Sequence, residues 1–258
     1  MAIGGAEDRT SDSIILRRFA MLCGNGTARI SVIPSASRIR NAGEQYRRVL
    51  HDIGAAQVEV LRISERSDAR DEGIVKTLRE STGIFLTGGS QVRLARMIGG
   101  TPVGDAISEL NRAGVPVAGT SAGASVMSSV MVAGGRSGTS PRSSMARFSR
   151  GLGLIDSVII DQHFAERDRV SRLVAMVGYN PGLLGIGIDE DTAALISPDR
   201  FIEVIGRGSV LIVDGSEMQT DIEHVQPAAP PTISNAVIHF IGEGGRYSLD
   251  ERNVVPQD

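Results

Sequence analysis

Hydrophobic positions in the first half of the chain follow two alternating patterns. Short apolar runs, which predict strands, occur at 28–33, 57–63, 84–86 and 115–118. Between them, apolar residues recur every three or four positions, which predicts amphipathic helices after Ser13, at 42–53, around Ile74 and Leu78, at 94–98 and at 103–110. Strands that alternate with helices at this spacing predict an α/β fold with a doubly wound, mostly parallel sheet flanked by helices.

The second half of the chain becomes β-rich after residue 184. Before that point the pattern predicts a helix over 122–132, an exposed mobile segment over 134–150, a strand over 152–161 and a helix over 166–177. Further strands are predicted at 184–189, 193–197, 200–206, 209–215 and 236–241, with a proline-rich loop at 227–231. The first strand, ahead of Gly4 and Gly5, is very short. Since no repeat or boundary interrupts the pattern, we expect residues 1–258 to form a single α/β domain.

Composition and charge narrow the class of protein. The 258 residues are 41% hydrophobic and 22% charged, which is typical of a globular protein, and no apolar run is long enough to span a bilayer. The net charge of −3 gives no general basis for binding nucleic acid, and the only lysine, Lys76, follows a valine, which excludes a P-loop. No secretory signal is visible, and the single cysteine, Cys23, cannot form an intrachain disulfide. We expect a cytoplasmic protein without a membrane or nucleic-acid partner.

Residues 119–123 read Gly-Thr-Ser-Ala-Gly and lie between a predicted strand and a predicted helix. A serine at such a turn is typical of a nucleophile elbow, because the glycines admit the strained backbone and the helix N-terminus faces the serine oxygen. Ser121 is therefore the candidate nucleophile. The N–H of Ala122 is a candidate oxyanion donor, and the Gly88-Gly89 turn, through Gly89, offers a second.

A serine nucleophile needs a base, and the chain has four histidines. His51 lies within a predicted helix, His224 in an acidic stretch and His239 within a predicted strand. These positions favour structural roles. His163 differs because it directly follows a predicted strand, which places it at the same carboxyl edge as Ser121 if that strand is parallel. It is the candidate general base.

The orienting acid is expected in the run Asp189-Glu190-Asp191, which follows another predicted strand. Side chains alternate along an extended chain, so Glu190 points to one side and the two aspartates to the other. Either Glu190 or the aspartate pair therefore faces His163, but not all three.

Arginines cluster near the start of the helix predicted after His163. Arg169 and Arg172 are three positions apart and share a helix face. They either hold a substrate carboxylate or form solvated pairs with Glu166 and Asp168. The sequence contains no metal-binding or dinucleotide-binding motif.

Five motifs stand in a characteristic order: GGAED at 4–8, TGGSQ at 87–91, GTSAGASVMS at 119–128, GLGLID and DQHF within 151–164, and GIDEDTA at 187–193. In order and spacing they resemble the cyanophycinases of serine peptidase family S51. The resemblance covers most of the span from residue 4 to about 215, and DQHF followed by three arginines is far more specific than the elbow. It implies a three-layer fold like those of flavodoxin and class I glutamine amidotransferases.

The resemblance also implies an activity and a set of site residues. The activity is that of a serine exopeptidase that releases β-Asp-Arg dipeptides from cyanophycin, a polymer with an aspartate backbone that bears arginines on its side chains. Ser121 would be the nucleophile, His163 the base and Glu190 the orienting acid. The residues implied to shape the substrate pocket are Ser90, Gln91, Asp161, Gln162, Arg167, Arg169 and Arg172. The family is typically homodimeric and needs no cofactor or metal.

The sequence departs from the family at two points, of which one is the nearly absent first strand, and three alternative functions stay open. Ser90 stands where the family usually has aspartate, which removes a carboxylate that could meet a substrate guanidinium. An aspartyl dipeptidase of the same superfamily would cleave after an N-terminal aspartate in short peptides. An α/β-hydrolase esterase would need its histidine after its acid in the chain, hence His224 or His239. The remaining alternative is a binding protein with an inactive site.

Overall fold

The structure, a computed structural model, describes residues 1–145, 147–227 and 229–256. Its helices are α1 (Ile14–Leu22), α2 (Ala42–Asp52), α3 (Glu72–Arg79), α4 (Gln91–Ile98), α5 (Pro102–Arg112), α6 (Ala122–Ser125) and α7 (Val170–Tyr179). The strands up to the elbow are β1 (Ala2–Ile3), β2 (Arg29–Ile33), β3 (Gln57–Val60), β4 (Gly83–Leu86) and β5 (Val117–Thr120). The later strands are β6 (Val130–Gly134), β7 (Arg147–Arg150), β8 (Val158–Gln162), β9 (Leu184–Ile188), β10 (Thr192–Ile196), β11 (Phe201–Gly206), β12 (Val210–Asp214), β13 (Gln219–Thr220), β14 (Ile233–Ser234), β15 (Val237–Ile241), β16 (Arg246–Ser248) and β17 (Asn253–Val255).

The large sheet has the strand order β17-β16-β11-β10-β1-β5-β4-β2-β3. The half from β1 to β3 is parallel, and the half from β10 to β17 is antiparallel. The very short β1 lies where the halves meet, with Ala2 and Ile3 fully buried between β5 and β10. The first strand, predicted to be short, is therefore a central strand. Because β1 is parallel to β5, Gly4 and Gly5 lie beside the carboxyl end of β5.

Helices cover both faces of the parallel half. On one face, Phe19 of α1 and Leu50 of α2 pack in one buried cluster with Phe85 of β4. On the other face, residues of α3, α4 and α5 pack with Ile84 and Leu86 of the same strand. Neighbouring residues of β4 thus serve opposite cores, as alternation along a strand requires. The predicted doubly wound α/β fold is confirmed.

A second sheet of order β15-β12-β9-β8 carries most of the C-terminal strands that do not join the large sheet. Strands β8 and β9 are parallel, and β12 and β15 extend them in antiparallel fashion. Helix α7 packs on this sheet through Leu173, Val174 and Val177. None of the helices in the described residues has both the length and the apolar character that crossing a membrane requires.

Three predicted boundaries near the elbow were wrong. The helix predicted over 122–132 ends at Ser125, and Val130–Gly134 forms β6 instead, because pairing with β7 satisfies this β-branched run. The strand predicted over 152–161 begins only at Val158, and the helix predicted over 166–177 begins at Val170. Part of the segment predicted to be mobile, 134–150, therefore forms a hairpin. Residue 146 of this segment and residue 228 of the predicted proline-rich loop lie outside the described residues.

Candidate active site

Ser121 occupies the tight turn between β5 and α6. Its backbone has φ 52° and ψ −111°, a conformation that is costly for a residue with a Cβ. The turn is this tight because its two glycines touch neighbouring backbone: a Cβ on Gly119 would lie 2.2 Å from the carbonyl oxygen of Gly123, and one on Gly123 would lie 2.2 Å from that of Leu86. The predicted elbow residues thus form a strand-to-helix turn that holds the Ser121 hydroxyl out of the sheet.

His163 connects the Ser121 hydroxyl to a carboxylate. Its Nε2 atom lies 3.0 Å from Ser121 Oγ, and its Nδ1 atom lies 2.5 Å from Glu190 Oε1. His163 immediately follows β8 and turns the chain with φ 49°, while its N–H donates to the carbonyl oxygen of Gly4 at 2.8 Å. A hydroxyl, an imidazole and a carboxylate in this order form the arrangement that activates a serine for nucleophilic attack.

The site lies where the two sheets meet, rather than at the edge of one. Ser121 follows β5 of the large sheet, whereas His163 and Glu190 follow β8 and β9 of the second sheet. The loop after β1 joins these parts, because the Gly5 carbonyl accepts from the N–H of Asp191 at 2.9 Å and a Cβ on Gly5 would lie 2.4 Å from the His163 ring. The strand before His163 is parallel to β9, but it does not belong to the sheet of Ser121.

The three adjacent acids lie in the turn between β9 and β10, where Asp191 has φ 47°, and their side chains point to different partners. Only Glu190 contacts His163 among them. Asp189 accepts hydrogen bonds from the N–H of Ala165 at 3.0 Å and from Ser209 Oγ at 2.8 Å, and Asp191 accepts one from the N–H of Asp8 at 2.7 Å. The two aspartates therefore hold neighbouring loops around the site while Glu190 reaches the imidazole.

The segments that carry the two candidate oxyanion donors both lie next to Ser121. Ala122 is the first residue of α6, so its N–H has no acceptor within the helix. The Gly88-Gly89 turn is also near Ser121, because a Cβ on Gly88 would lie 3.4 Å from Ser121 Cβ. The structure brings both predicted donor segments to the nucleophile.

Ser90 and Gln91, which are both predicted to shape the substrate pocket, form hydrogen bonds within the protein. Ser90 caps α4 by accepting from the N–H of Arg93 at 3.3 Å. The Gln91 side-chain amide donates to the carbonyl oxygen of Val132 in β6 at 2.9 Å. Gln162 stays near the nucleophile, with Oε1 at 3.3 Å from Ser121 Oγ.

Asp161 binds two of the three predicted arginines in the interior. Its carboxylate is fully buried and accepts from Arg169 Nη1 at 3.0 Å, from Arg172 Nε at 2.8 Å and from Arg172 Nη2. Burial lowers the pKa of Arg169 to about 10, and the positive charges of Arg172 and Arg167 add to this lowering, while the Asp161 carboxylate acts to raise the pKa. The surface pairing with Glu166 and Asp168 does not form at Arg169 or Arg172.

Arg167 has the opposite environment. It lies in a 3-10 turn, Ala165–Arg167, and its side chain is exposed. In the part of the chain that the structure describes, its guanidinium makes no hydrogen bond or ion pair. Of the three arginines after DQHF, Arg167 is thus the one whose charge is available to a ligand.

The other histidines lie away from the site. His51 and His224 are exposed, and the His239 ring packs edge-on against Tyr247 at 5.2 Å between ring centroids. In an α/β-hydrolase esterase the catalytic acid precedes the catalytic histidine in the chain, so the general base here would have to be His224 or His239. Neither histidine lies at the Ser121 turn.

Glu7, to which the sequence patterns assign no role, is buried directly behind the elbow. The Glu7 carboxylate accepts from the Tyr46 hydroxyl and from Thr120 Oγ1, the latter at 2.6 Å. Glu7 is 3% exposed, and Thr120 immediately precedes Ser121. The acid in GGAED was a visible signal, but its partner Thr120 is 113 positions away and could not be identified from the sequence. Glu7 therefore holds the elbow to the loop that contacts His163.

Replacing Glu7 with alanine is expected to destabilise the fold and lower turnover. Two buried hydroxyls, on Tyr46 and Thr120, would lose their acceptor, and an unsatisfied buried hydroxyl costs about 1–3 kcal/mol. We expect the free energy of unfolding of Glu7→Ala to fall by about 2–4 kcal/mol in urea titrations, with a lower kcat. The exposed Glu80→Ala variant is the control and should behave as wild type. Wild-type stability in Glu7→Ala would show that this network does not support the elbow.

Comparison with known proteins places the chain among peptidases. Residues 1–204 match Peptidase family S51. The cyanophycinase of Nostoc sp. (strain PCC 7120 / SAG 25.82 / UTEX 2576) is 44% identical over 259 residues, which cover 99% of this chain and 87% of that protein. The cyanophycinase of Geminocystis herdmanii (strain PCC 6308) is 41% identical over 251 residues, covering 96% of this chain and 92% of that protein.

A solved structure supports the same fold. The crystal structure of a peptidase from an acI-B1 Actinobacterium superposes with a TM-score of 0.66 at 22% sequence identity, covering 93% of this chain and 95% of that one. At this identity the likeness shows the fold alone. The family resemblance that the motifs indicated is confirmed by the sequence matches.

Proposed function

The chain belongs to peptidase family S51, and on that premise we propose that it is a serine exopeptidase that releases β-Asp-Arg dipeptides from cyanophycin. The observation that carries the proposal is the continuous contact from Ser121 Oγ through His163 to Glu190. The substrate follows from the relatives, which are named cyanophycinases and match nearly the whole chain.

Acylation is the first half of the proposed reaction. The Ser121 oxygen attacks the carbonyl carbon of the scissile peptide bond while His163 Nε2 takes the hydroxyl proton. The N–H of Ala122 and the N–H of Gly89 stabilise the resulting oxyanion. When the C–N bond breaks, His163 gives its proton to the leaving amine, and the acyl group remains on Ser121 as an ester.

Deacylation reverses these roles with water. His163 removes a proton from a water molecule that attacks the ester, and it then returns the proton to Ser121 Oγ as the acid product leaves. Glu190 keeps the proton on Nδ1 and stabilises the imidazolium that forms in both halves.

The proposed substrate contacts divide into direct and indirect ones. Arg167 is available to bind a substrate carboxylate, and the side chain of Gln162 lies beside the nucleophile. Ser90 and Gln91 form another part of the pocket wall. Ser90 caps α4 and, unlike the aspartate that the family usually has there, offers no carboxylate to a substrate guanidinium. Asp161, Arg169 and Arg172 are proposed to form the buried support beneath this pocket.

Product analysis tests the proposed activity. The purified protein is incubated separately with cyanophycin, an α-Asp-X dipeptide and a simple ester, and the products are identified by mass spectrometry. We expect β-Asp-Arg to accumulate from cyanophycin and the two other substrates to stay largely intact. Hydrolysis of the α-Asp-X dipeptide alone would instead indicate an aspartyl dipeptidase, and hydrolysis of the ester alone an esterase.

We further propose that residues 1–258 act as one peptidase domain, in the cytoplasm and as a homodimer. The support for the homodimer is the resemblance to a typically dimeric family. Light scattering after size-exclusion chromatography is expected to give twice the chain mass of 27.3 kDa. Elution at the monomer mass would exclude the dimer.

A further inference from the structure

A cavity of about 390 Å³, here called the basic pocket, lies at the carboxyl ends of β2 and β3. The charged residues that line it are Arg38, Arg40, Arg62, Arg93 and Glu44. Arg62 donates to Glu44 at 2.9 Å. Within the described residues, the guanidinium groups of Arg38, Arg40 and Arg93 make no hydrogen bond or ion pair. The pocket therefore concentrates unneutralised positive charge in a chain whose net charge is −3.

The basic pocket is connected to the active site through the loop that follows β2. The N–H of Ser90 donates to the carbonyl oxygen of Ala36 at 2.9 Å, which joins the turn beside Ser121 to the loop that lines the pocket. In the large sheet, β2 is two strands and β3 three strands away from β5. Because neighbouring strands are about 4.8 Å apart, the pocket lies roughly 10–15 Å from the nucleophile.

The proposed substrate carries one group, a free carboxylate, that matches the charge of this pocket. Each arginine of the polymer is joined through its α-amino group to an aspartate side chain, so its α-carboxylate and its guanidinium are both free. Free carboxylates are the preferred partners of arginine. The apolar side chain of Ile39, 64% exposed beside Arg38 and Arg40, offers a contact for the aliphatic stem of such a branch.

We propose that the basic pocket is a second substrate subsite, which binds the free carboxylate of an arginine branch away from the bond that is cleaved. This proposal rests on the proposed function. An extended chain advances about 3.3–3.6 Å per residue, so a separation of roughly 10–15 Å corresponds to about three or four aspartates of the backbone. A long oligomer therefore offers several branches that can reach the pocket, whereas a substrate of two units offers fewer.

The test compares soluble β-Asp-Arg oligomers of two and of about six units. The quantity measured is the ratio of kcat/KM for the longer oligomer to that for the shorter one. In Arg38→Ala/Arg40→Ala we expect this ratio to fall roughly three- to tenfold, through KM, because the variant loses exposed ion pairs with the branch carboxylate and each such pair contributes modestly. Added salt should lower the ratio in the wild type and have less effect in the variant.

A matched control removes two arginines elsewhere on the surface. Arg48 and Arg70 are exposed, make no ion pair in the described residues and do not line the basic pocket, so Arg48→Ala/Arg70→Ala should keep the wild-type ratio. An unchanged ratio in Arg38→Ala/Arg40→Ala would overturn the proposal, as would a change in its oligomeric mass, which would make the pocket a subunit contact.

Binding measured without turnover separates this proposal from the proposed function. Calorimetric titration of the six-unit oligomer into Ser121→Ala should show weaker binding when Arg38→Ala/Arg40→Ala is added. Equal binding by the two proteins would overturn the subsite. Failure of the wild type to hydrolyse either oligomer would overturn the proposed function, and the titration would still decide whether the pocket binds the oligomer.

Discussion

Replacing Ser121 with alanine is expected to lower hydrolysis of cyanophycin by about four to six orders of magnitude, as loss of a serine nucleophile does in other serine hydrolases. Alanine keeps the Cβ and therefore the strained backbone at φ 52°, but it removes the only atom that can form the acyl ester. The free energy of unfolding should stay within about 0.5 kcal/mol of wild type. Initial rates of β-Asp-Arg release and urea titrations measure the two effects.

A second serine provides the control for this variant. Ser108 lies in α5 and donates to the carbonyl oxygen of Gly104 at 3.1 Å, with no contact to the site. Ser108→Ala should keep the wild-type turnover, and a fluorophosphonate should label Ser121 in this variant as it does in the wild type. Ser121→Ala should remain unlabelled. Turnover near the wild-type rate in Ser121→Ala would end the serine mechanism.

Replacing Asp161 with asparagine is expected to produce the largest loss of stability. Its carboxylate is the shared acceptor for Arg169 and Arg172, which are 7% and 3% exposed. Without that charge, two guanidinium groups would be buried uncompensated, and breaking a buried ion pair by removing one partner costs about 3–5 kcal/mol. Urea unfolding of Asp161→Asn should show a loss of that size.

Asp214 offers a comparison for Asp161. It is 5% exposed and pairs with Arg252 Nη1 at 2.6 Å, but the Arg252 side chain is 29% exposed and can return to water. Asp214→Asn should therefore lose clearly less stability than Asp161→Asn. Equal losses would mean that the charges of Arg169 and Arg172 do not depend on Asp161.

The local features of the fold and site could be predicted because each depends on a few neighbouring residues. Apolar periodicity located the strands and helices up to β5, and glycines on either side of Ser121 marked its turn. The run of acids at 189–191 was located correctly, although the alternation used to separate Glu190 from the aspartates applies to extended strands and the run forms a turn. The boundaries after the elbow were wrong because the small and β-branched residues there suit both a helix and a strand, and pairing between β6 and β7 settles the outcome.

The sequence by itself determined the α/β class, the family and the residues that follow strand ends, since these depend on local pattern and on motifs. Only the tertiary structure decided that Ser121 and His163 come from different sheets, that Asp161 holds Arg169 and Arg172 in the interior, and that Glu7 supports the elbow. The physical reason is distance along the chain. Contacts such as that between Glu7 and Thr120 depend on how whole elements pack, and local sequence carries no signal that links the two partners.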